Sequence, residues 1–271
     1  MTFNTNPIGI FDSGVGGLSI ALRVREVLPN ENILYFADSA HTPYGTKPES
    51  YTTQRSSLII QFLVNKKAKA VVVACNTATA SSISKLRSEY KIPIIGVEPG
   101  IKPAALKSNS GVVGVLATNQ TLSSLSFDNL SNRFSSNVKI EIQPCPGLVE
   151  QVEKVDLHSS KTEDMIKQYV FPLLEKGADN IVLGCTHYNF LAPMIQKIVG
   201  HGVEVINTDL AVARQVLRRL ESEKLLSTLP SASYEKFWTS GDPGIVSQQL
   251  SALWGKQVNA MQFLHTFTDL S

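Results

Sequence analysis

Short apolar runs rich in Val and Ile recur along the chain, separated by stretches with helical spacing. Ile8–Phe11, Ile33–Phe36, Ala70–Ala74, Ile94–Val97, Val112–Leu116, Val138–Ile142, Ile181–Gly184 and Val203–Ile206 read as strands. Most lack strict alternation of apolar and polar positions, as strands covered on both faces do. Between them, Leu18, Ala21, Leu22, Arg25 and Leu28 follow a helical period, as do Met165, Tyr169, Leu173 and Leu174, and Leu210, Ala213, Val216, Leu217 and Leu220. This alternation predicts an α/β protein with mainly parallel sheets flanked by helices.

The pattern also repeats on a larger scale. "VVVACNTATA" (71–80) and "NIVLGCTHYNF" (180–190) share an apolar strand, a small residue, a cysteine, and a threonine within two residues. "IGIFDSGVGG" (8–17) and "GVVGVLATNQ" (111–120) also correspond, with Asp12-Ser13 against Ala117-Thr118. Cys75 and Cys185 stand 110 residues apart, Asp12 and Ala117 105, so order and spacing are both kept. A weak internal repeat of this kind fits two similar α/β lobes. No Pro/Gly/Ser-rich linker divides them. The nearest candidates are Glu98–Lys102 and Asn207–Asp209, so the chain is expected to pass between lobes more than once.

Composition narrows the class. A chain of 271 residues has room for about two domains, and 43% hydrophobic against 18% charged residues can fill their cores. The net charge of +2 argues against a partner such as nucleic acid, which is bound by neutralising phosphates. No apolar run is long enough to span a bilayer, and "MTFNTNPIG" lacks the basic and apolar regions of a signal peptide. Three widely spaced cysteines are no disulfide scaffold and point to a reducing, cytoplasmic setting.

Parallel sheets bind ligands beyond the carboxyl ends of their strands. Asp12-Ser13-Gly14-Val15-Gly16-Gly17 follows the first strand, Asp38 and then Thr42-Pro43-Tyr44-Gly45 the second, and Cys75-Asn76-Thr77 the third. The later repeat supplies Thr118, Thr121 and Cys185-Thr186-His187. Gly14-x-Gly16-Gly17 with Asp38 invites a dinucleotide-binding reading. Ser19 breaks that glycine pattern, and the Asp12 carboxylate would repel a pyrophosphate but suit an ammonium.

Cys75 and Cys185 carry more information as a pair than singly. Zinc would need four ligands, and no supporting spacing is present. A disulfide would be unusual in a reducing compartment. Simple packing, the common fate of a cysteine, leaves the repeated threonine unexplained. Two opposed acid/base thiols at helix N-termini, where backbone N–H groups favour a thiolate, explain both features. A thiol that removes a proton from one face of a carbon, facing one that returns a proton to the other, inverts that centre with no cofactor and no metal. His187 is placed to assist Cys185. Cys145, between two prolines, reads as structural.

"GIFDSGVGGLS", "YFADSAHTPYG", "ACNTATA", "GVEPG" and "LGCTHY", in this order, resemble the glutamate racemases of the aspartate/glutamate racemase superfamily. The resemblance runs from Ile8 to the "WTSGDP" segment at Trp238–Pro243. It implies cofactor-independent interconversion of L- and D-glutamate, feeding peptidoglycan synthesis. Cys75 and Cys185 fall on the proton-transferring cysteines. Asp12, Ser13, Tyr44, Gly45, Asn76, Thr77, Thr186 and His187 fall on substrate contacts, and Thr118 and Thr121 lie near the substrate carboxylate. Asp12, Glu150 and His187 match residues that tune the thiols.

The resemblance also implies a lobe made of residues 1–98 with 208–271, a second of 99–207, and a site in the cleft between them. Members of the family are often dimers, and a homodimer fits that habit. "CPGLVE" (145–150) departs from the usual spacing before the glutamate. Asn189-Phe190 replaces a common Pro-Leu, and "ADSAH" (37–41) varies a motif while keeping its acid. An aspartate or other amino-acid racemase is the nearest alternative reading. A two-lobed amino-acid binder and an NAD-dependent oxidoreductase are the others.

Overall fold

The computed structural model describes residues 4–227 and 233–263. In chain order the elements are β1 (Ile8–Asp12), α1 (Leu18–Val27), β2 (Ile33–Ala37), α2 (Glu49–Asn65), β3 (Ala70–Val73), α3 (Asn76–Glu89), β4 (Ile94–Gly96) and α4 (Ile101–Lys107). Then follow β5 (Val112–Ala117), α5 (Asn119–Leu122), α6 (Leu125–Asn132), β6 (Lys139–Pro144), α7 (Leu148–Glu153), α8 (Ser160–Glu175), β7 (Asn180–Leu183), α9 (Ala192–Val199) and β8 (Glu204–Ile206). The chain closes with α10 (Asp209–Ser222), β9 (Glu235–Thr239), α11 (Pro243–Trp254) and β10 (Ala260–Gln262).

These strands form two sheets, ordered β10-β9-β2-β1-β3-β4 and β6-β5-β7-β8, and every adjacent pair is parallel. The core of the first sheet, β2-β1-β3-β4, and the whole of the second share one topology. The internal repeat is therefore structural: β1 corresponds to β5 and β3 to β7. β9 and β10 extend the first sheet beyond β2 and have no counterpart in the second.

Each sheet is covered on both faces, which is why its strands lack alternation. In the first, Ile8 and Ile10 pack with α1, α10 and α11, while Phe11, Phe36 and Val73 pack with α2 and α3. In the second, Leu116, Ile181 and Leu183 face α8 and α9, and Val113, Val115 and Val182 face α4 and α6. α10 returns from the second lobe to lie along α1, tied there by Arg23 to Asp209. Among the described residues no helix is long and apolar enough to cross a membrane.

Candidate active site

Strand order reverses between β1 and β3, and again between β5 and β7, so ligand sites are expected at those strand ends. Asp12 ends β1 and Ser13 follows it. Cys75, Asn76 and Thr77 come after β3, Thr118 after β5, and Cys185, Thr186 and His187 after β7. All of these except Thr118 are buried.

Cys75 (φ −134°, ψ 121°) and Cys185 (φ −142°, ψ 134°) are the extended residues immediately before a helical turn. After Cys75 that turn begins α3. After Cys185 it is a 3-10 turn, Thr186–Leu191, which runs on into α9. The Cys75 Sγ donates a long bond to Ser13 Oγ, 3.9 Å. Burial pushes the Cys75 thiol well above its usual value, and the charges of Asp12 and Cys185 add to this. The Ala78 N–H and Ser13 oppose the shift without overcoming it. A helix N-terminus alone therefore does not make a thiolate of Cys75, contrary to the expectation from sequence; desolvation is the larger effect.

Beside Cys185, His187 Nδ1 lies 3.8 Å from the sulfur, and Nε2 lies 2.6 Å from Glu153 Oε1 and 3.9 Å from Asp12 Oδ2. Burial would lower the imidazole's proton affinity, but Cys185, Glu153 and Asp12 together raise it well above its ordinary value. Asp12 Oδ2 accepts the Gly14 and Gly17 N–H groups at 3.1 Å each. Burial nonetheless raises the Asp12 pKa, against the lowering effect of His187.

The acid that meets His187 is Glu153, not Glu150. Glu150 is exposed on α7, whereas Glu153 one turn later grips His187 and accepts the Val15 N–H at 2.9 Å from the opposite lobe. The sequence carried a signal for this: Glu153 stands four residues after the buried Val149 and next to the buried Val152, on the inward stripe that Glu150 leaves.

The glycines of the first loop serve close approach. A Cβ on Gly14 would lie 1.8 Å from Glu153 Oε1, and one on Gly16 2.3 Å from His187 Nδ1. Where a pyrophosphate would sit, these side chains stand instead. Asp38 is equally unavailable to a ribose. Its Oδ1 accepts Arg55 Nη2 (2.6 Å), and its Oδ2 accepts Arg55 Nε (3.0 Å) and the Tyr44 hydroxyl (2.5 Å). The dinucleotide reading is set aside on both counts.

Tyr44 is buried with its hydroxyl donating to Asp38. The neighbouring Gly45 backbone meets Thr118 across the cleft, where a Cβ would come within 2.6 Å. The Thr77, Thr118 and Thr121 hydroxyls form a cluster spanning the lobes, at 2.9–3.2 Å. Asn189, at the departure noted above, donates to Ser19 Oγ of α1 at 3.0 Å, a further cross-lobe bond. Cys145 is buried with its Sγ directed to the Gln143 carbonyl at 3.3 Å, and burial raises its pKa. Two buried polar atoms in the site have no partner, Asp12 Oδ1 and Asn76 Nδ2. The first is an acceptor of the kind an ammonium takes, the second a donor of the kind a carboxylate takes.

The family model for Asp/Glu/Hydantoin racemases matches residues 19–216. The chain belongs to the Asp/Glu/Hydantoin racemase family. It is thus an amino-acid racemase, an isomerase. It is 51% identical over 254 residues to the glutamate racemase of Methylococcus capsulatus, covering 94% of both chains. Among solved structures it is similar to the Francisella tularensis glutamate racemase in complex with D-glutamate, with a TM-score of 0.84, 29% identity, and 98% and 99% of the two chains covered. The Escherichia coli glutamate racemase, in complex with L-glutamate and the activator UDP-MurNAc-Ala, gives 0.83 at 31% identity, with 95% and 97% covered.

Proposed function

We propose that the protein interconverts L- and D-glutamate by two thiols acting on opposite faces of Cα. The observation that supports this best is the placement of Cys75 and Cys185 at equivalent strand ends of two sheets with one topology. Names of relatives favour glutamate over other amino acids.

The site's own groups indicate how the steps divide. The substrate ammonium meets Asp12, and its carboxylates take donors from Asn76, Ser13 and the threonine cluster. The ammonium places a positive charge beside the sulfur atoms and offsets the desolvation that raises the Cys75 pKa. For D-glutamate, the Cys75 thiolate takes the Cα proton and becomes a thiol. The Cys185 thiol gives its proton to the other face and becomes a thiolate, which His187 stabilises. L-glutamate runs the same path in reverse. Charge that develops on the α-carboxylate is met by fixed donors rather than by reorganising water. The product serves cytoplasmic peptidoglycan synthesis.

The test is racemisation of each enantiomer in D₂O without added cofactor or metal. Solvent deuterium should enter the product enantiomer well before the recovered substrate. Cys75→Ala and Cys185→Ala should each lose at least ~10²–10⁴-fold, the usual worth of one acid–base group. Equal exchange into substrate and product would refute the two-thiol path. Racemisation of aspartate in preference to glutamate would refute the substrate.

A further inference from the structure

Asp38 lies outside the reaction described above, yet it is fully buried and takes a two-point grip from Arg55, whose side chain is only 13% exposed. We propose that Arg55 is a positioning residue for racemisation: through Asp38 it fixes Tyr44, and so holds the Gly45 backbone against Thr118 of the opposite lobe. This rests on the proposed function.

The linkage is continuous. Asp38 follows β2, and its N–H donates to the Asp12 carbonyl at 3.0 Å, so the carboxylate is anchored to the strand that bears Asp12. Its Oδ2 is shared between Arg55 Nε and the Tyr44 hydroxyl, while Oδ1 takes Arg55 Nη2. Tyr44 packs in the buried cluster that contains Phe11, Ala78 and Cys75. One residue on, Gly45 comes so close to Thr118 that even a methyl group would not fit. Thr118 is bonded to Thr77 and Thr121. A loosened Tyr44 therefore moves the floor behind Cys75 and the cross-lobe contact at Gly45 together.

A guanidinium suits this task because its planar fork meets both carboxylate oxygens at once; an ammonium cannot. The other titratable groups around Asp38 are His41, 4.0 Å away on one 3-10 turn, and Tyr51 on α2, which bonds to His41. Lys47, after Tyr44, acts on His41. None of them takes a hydrogen bond to the Asp38 carboxylate, so Arg55 is its principal cation.

The experiment measures kcat and KM for both enantiomers from pH 6 to 9 in the unaltered protein, Arg55→Lys, Arg55→Met and the double variant Asp38→Asn/Arg55→Met. Arg55→Met should lower kcat/KM by about 100-fold, the effect of a misplacement near 1 Å. It leaves a buried carboxylate without its cation. The double variant has no charge to compensate and should regain roughly tenfold. Arg55→Lys should fall between Arg55→Met and the unaltered protein.

Variants that melt earlier but keep kcat, KM and the pH profile of the unaltered protein would show a purely structural pair and overturn the proposal. If Arg55→Met does not fold, Arg55→Lys and the double variant decide: native kinetics in both overturns it. Glutamate turnover by the unaltered protein is measured first. A failure of the functional reading therefore shows there, and a failure of this inference shows only in the variants.

Discussion

Replacing Gly16 by alanine tests the cross-lobe contact at His187. The new Cβ would stand 2.3 Å from Nδ1 and 2.5 Å from Cγ of the imidazole, where ordinary contact begins at 3.4 Å. The ring must therefore retreat by about 1 Å. It cannot retreat freely, because Glu153 lies 2.6 Å from Nε2 and is itself held by the Val15 N–H. Either the His187–Glu153 bond breaks or the lobes part at this point. Overpacking of this kind costs about 1–3 kcal/mol of stability. A 1 Å displacement beside the chemistry costs on the order of 100-fold in rate. The assay is glutamate racemisation followed by circular dichroism, with urea unfolding on the same samples. Gly202→Ala is the control, since nothing lies within 4 Å of that Cβ. A Gly16→Ala protein with kcat/KM within about threefold of the unaltered chain would refute the argument that this glycine exists to admit His187.

Two predictions concern stability away from the site. Lys69 and Glu31 form an ion pair at 2.5 Å with side chains 1% and 2% exposed, and Glu31 also accepts the Ser227 N–H. Lys69→Met should destabilise by about 3–5 kcal/mol in urea, while Lys69→Met/Glu31→Leu should recover much of that, because the lone buried carboxylate is gone. Burial would raise the pKa of Asp179, but bonds from Ser108, Ser110, Asn180 and Asn109 hold it well below its ordinary 3.8. A depressed carboxyl pKa stabilises the fold above the unfolded value and loses that contribution as pH falls through the folded value. Asp179→Asn should therefore lower Tm at pH 7, with the gap to the unaltered chain narrowing below pH 4; a gap independent of pH would refute this.

Much of the architecture was legible because it is local. All eight apolar runs are strands, with ends shifted by one or two residues. β9 and β10 were not foreseen. β9, "EKFWT", opens with two charges, and β10 spans only three residues. Both are strands because β2 pairs with β9 some 200 residues away, which no local pattern records. The paired cysteines were legible from the repeat. The partners of buried charges were not. An acid at a strand end looks the same whether a ribose or Arg55 answers it, so Asp38 invited the wrong ligand. Glu150 and Glu153 differ only in which side of a short helix they occupy, and the cross-lobe contacts that select Glu153 appear only once both sheets are in place.

The strand order around β1 recurs around β5, so each half of the molecule brings the same kind of group to the cleft from an equivalent position. Mirror-image amino acids have equal free energies in water, and no arrangement of residues can tilt the balance between them. The ratio kcat/KM must then be the same for both hands, in this chain and in every variant of it. A layout built twice is well matched to that constraint, because neither hand is foreign to the fold. Which way material flows in a cell is decided outside the protein, by whatever removes one hand from the mixture.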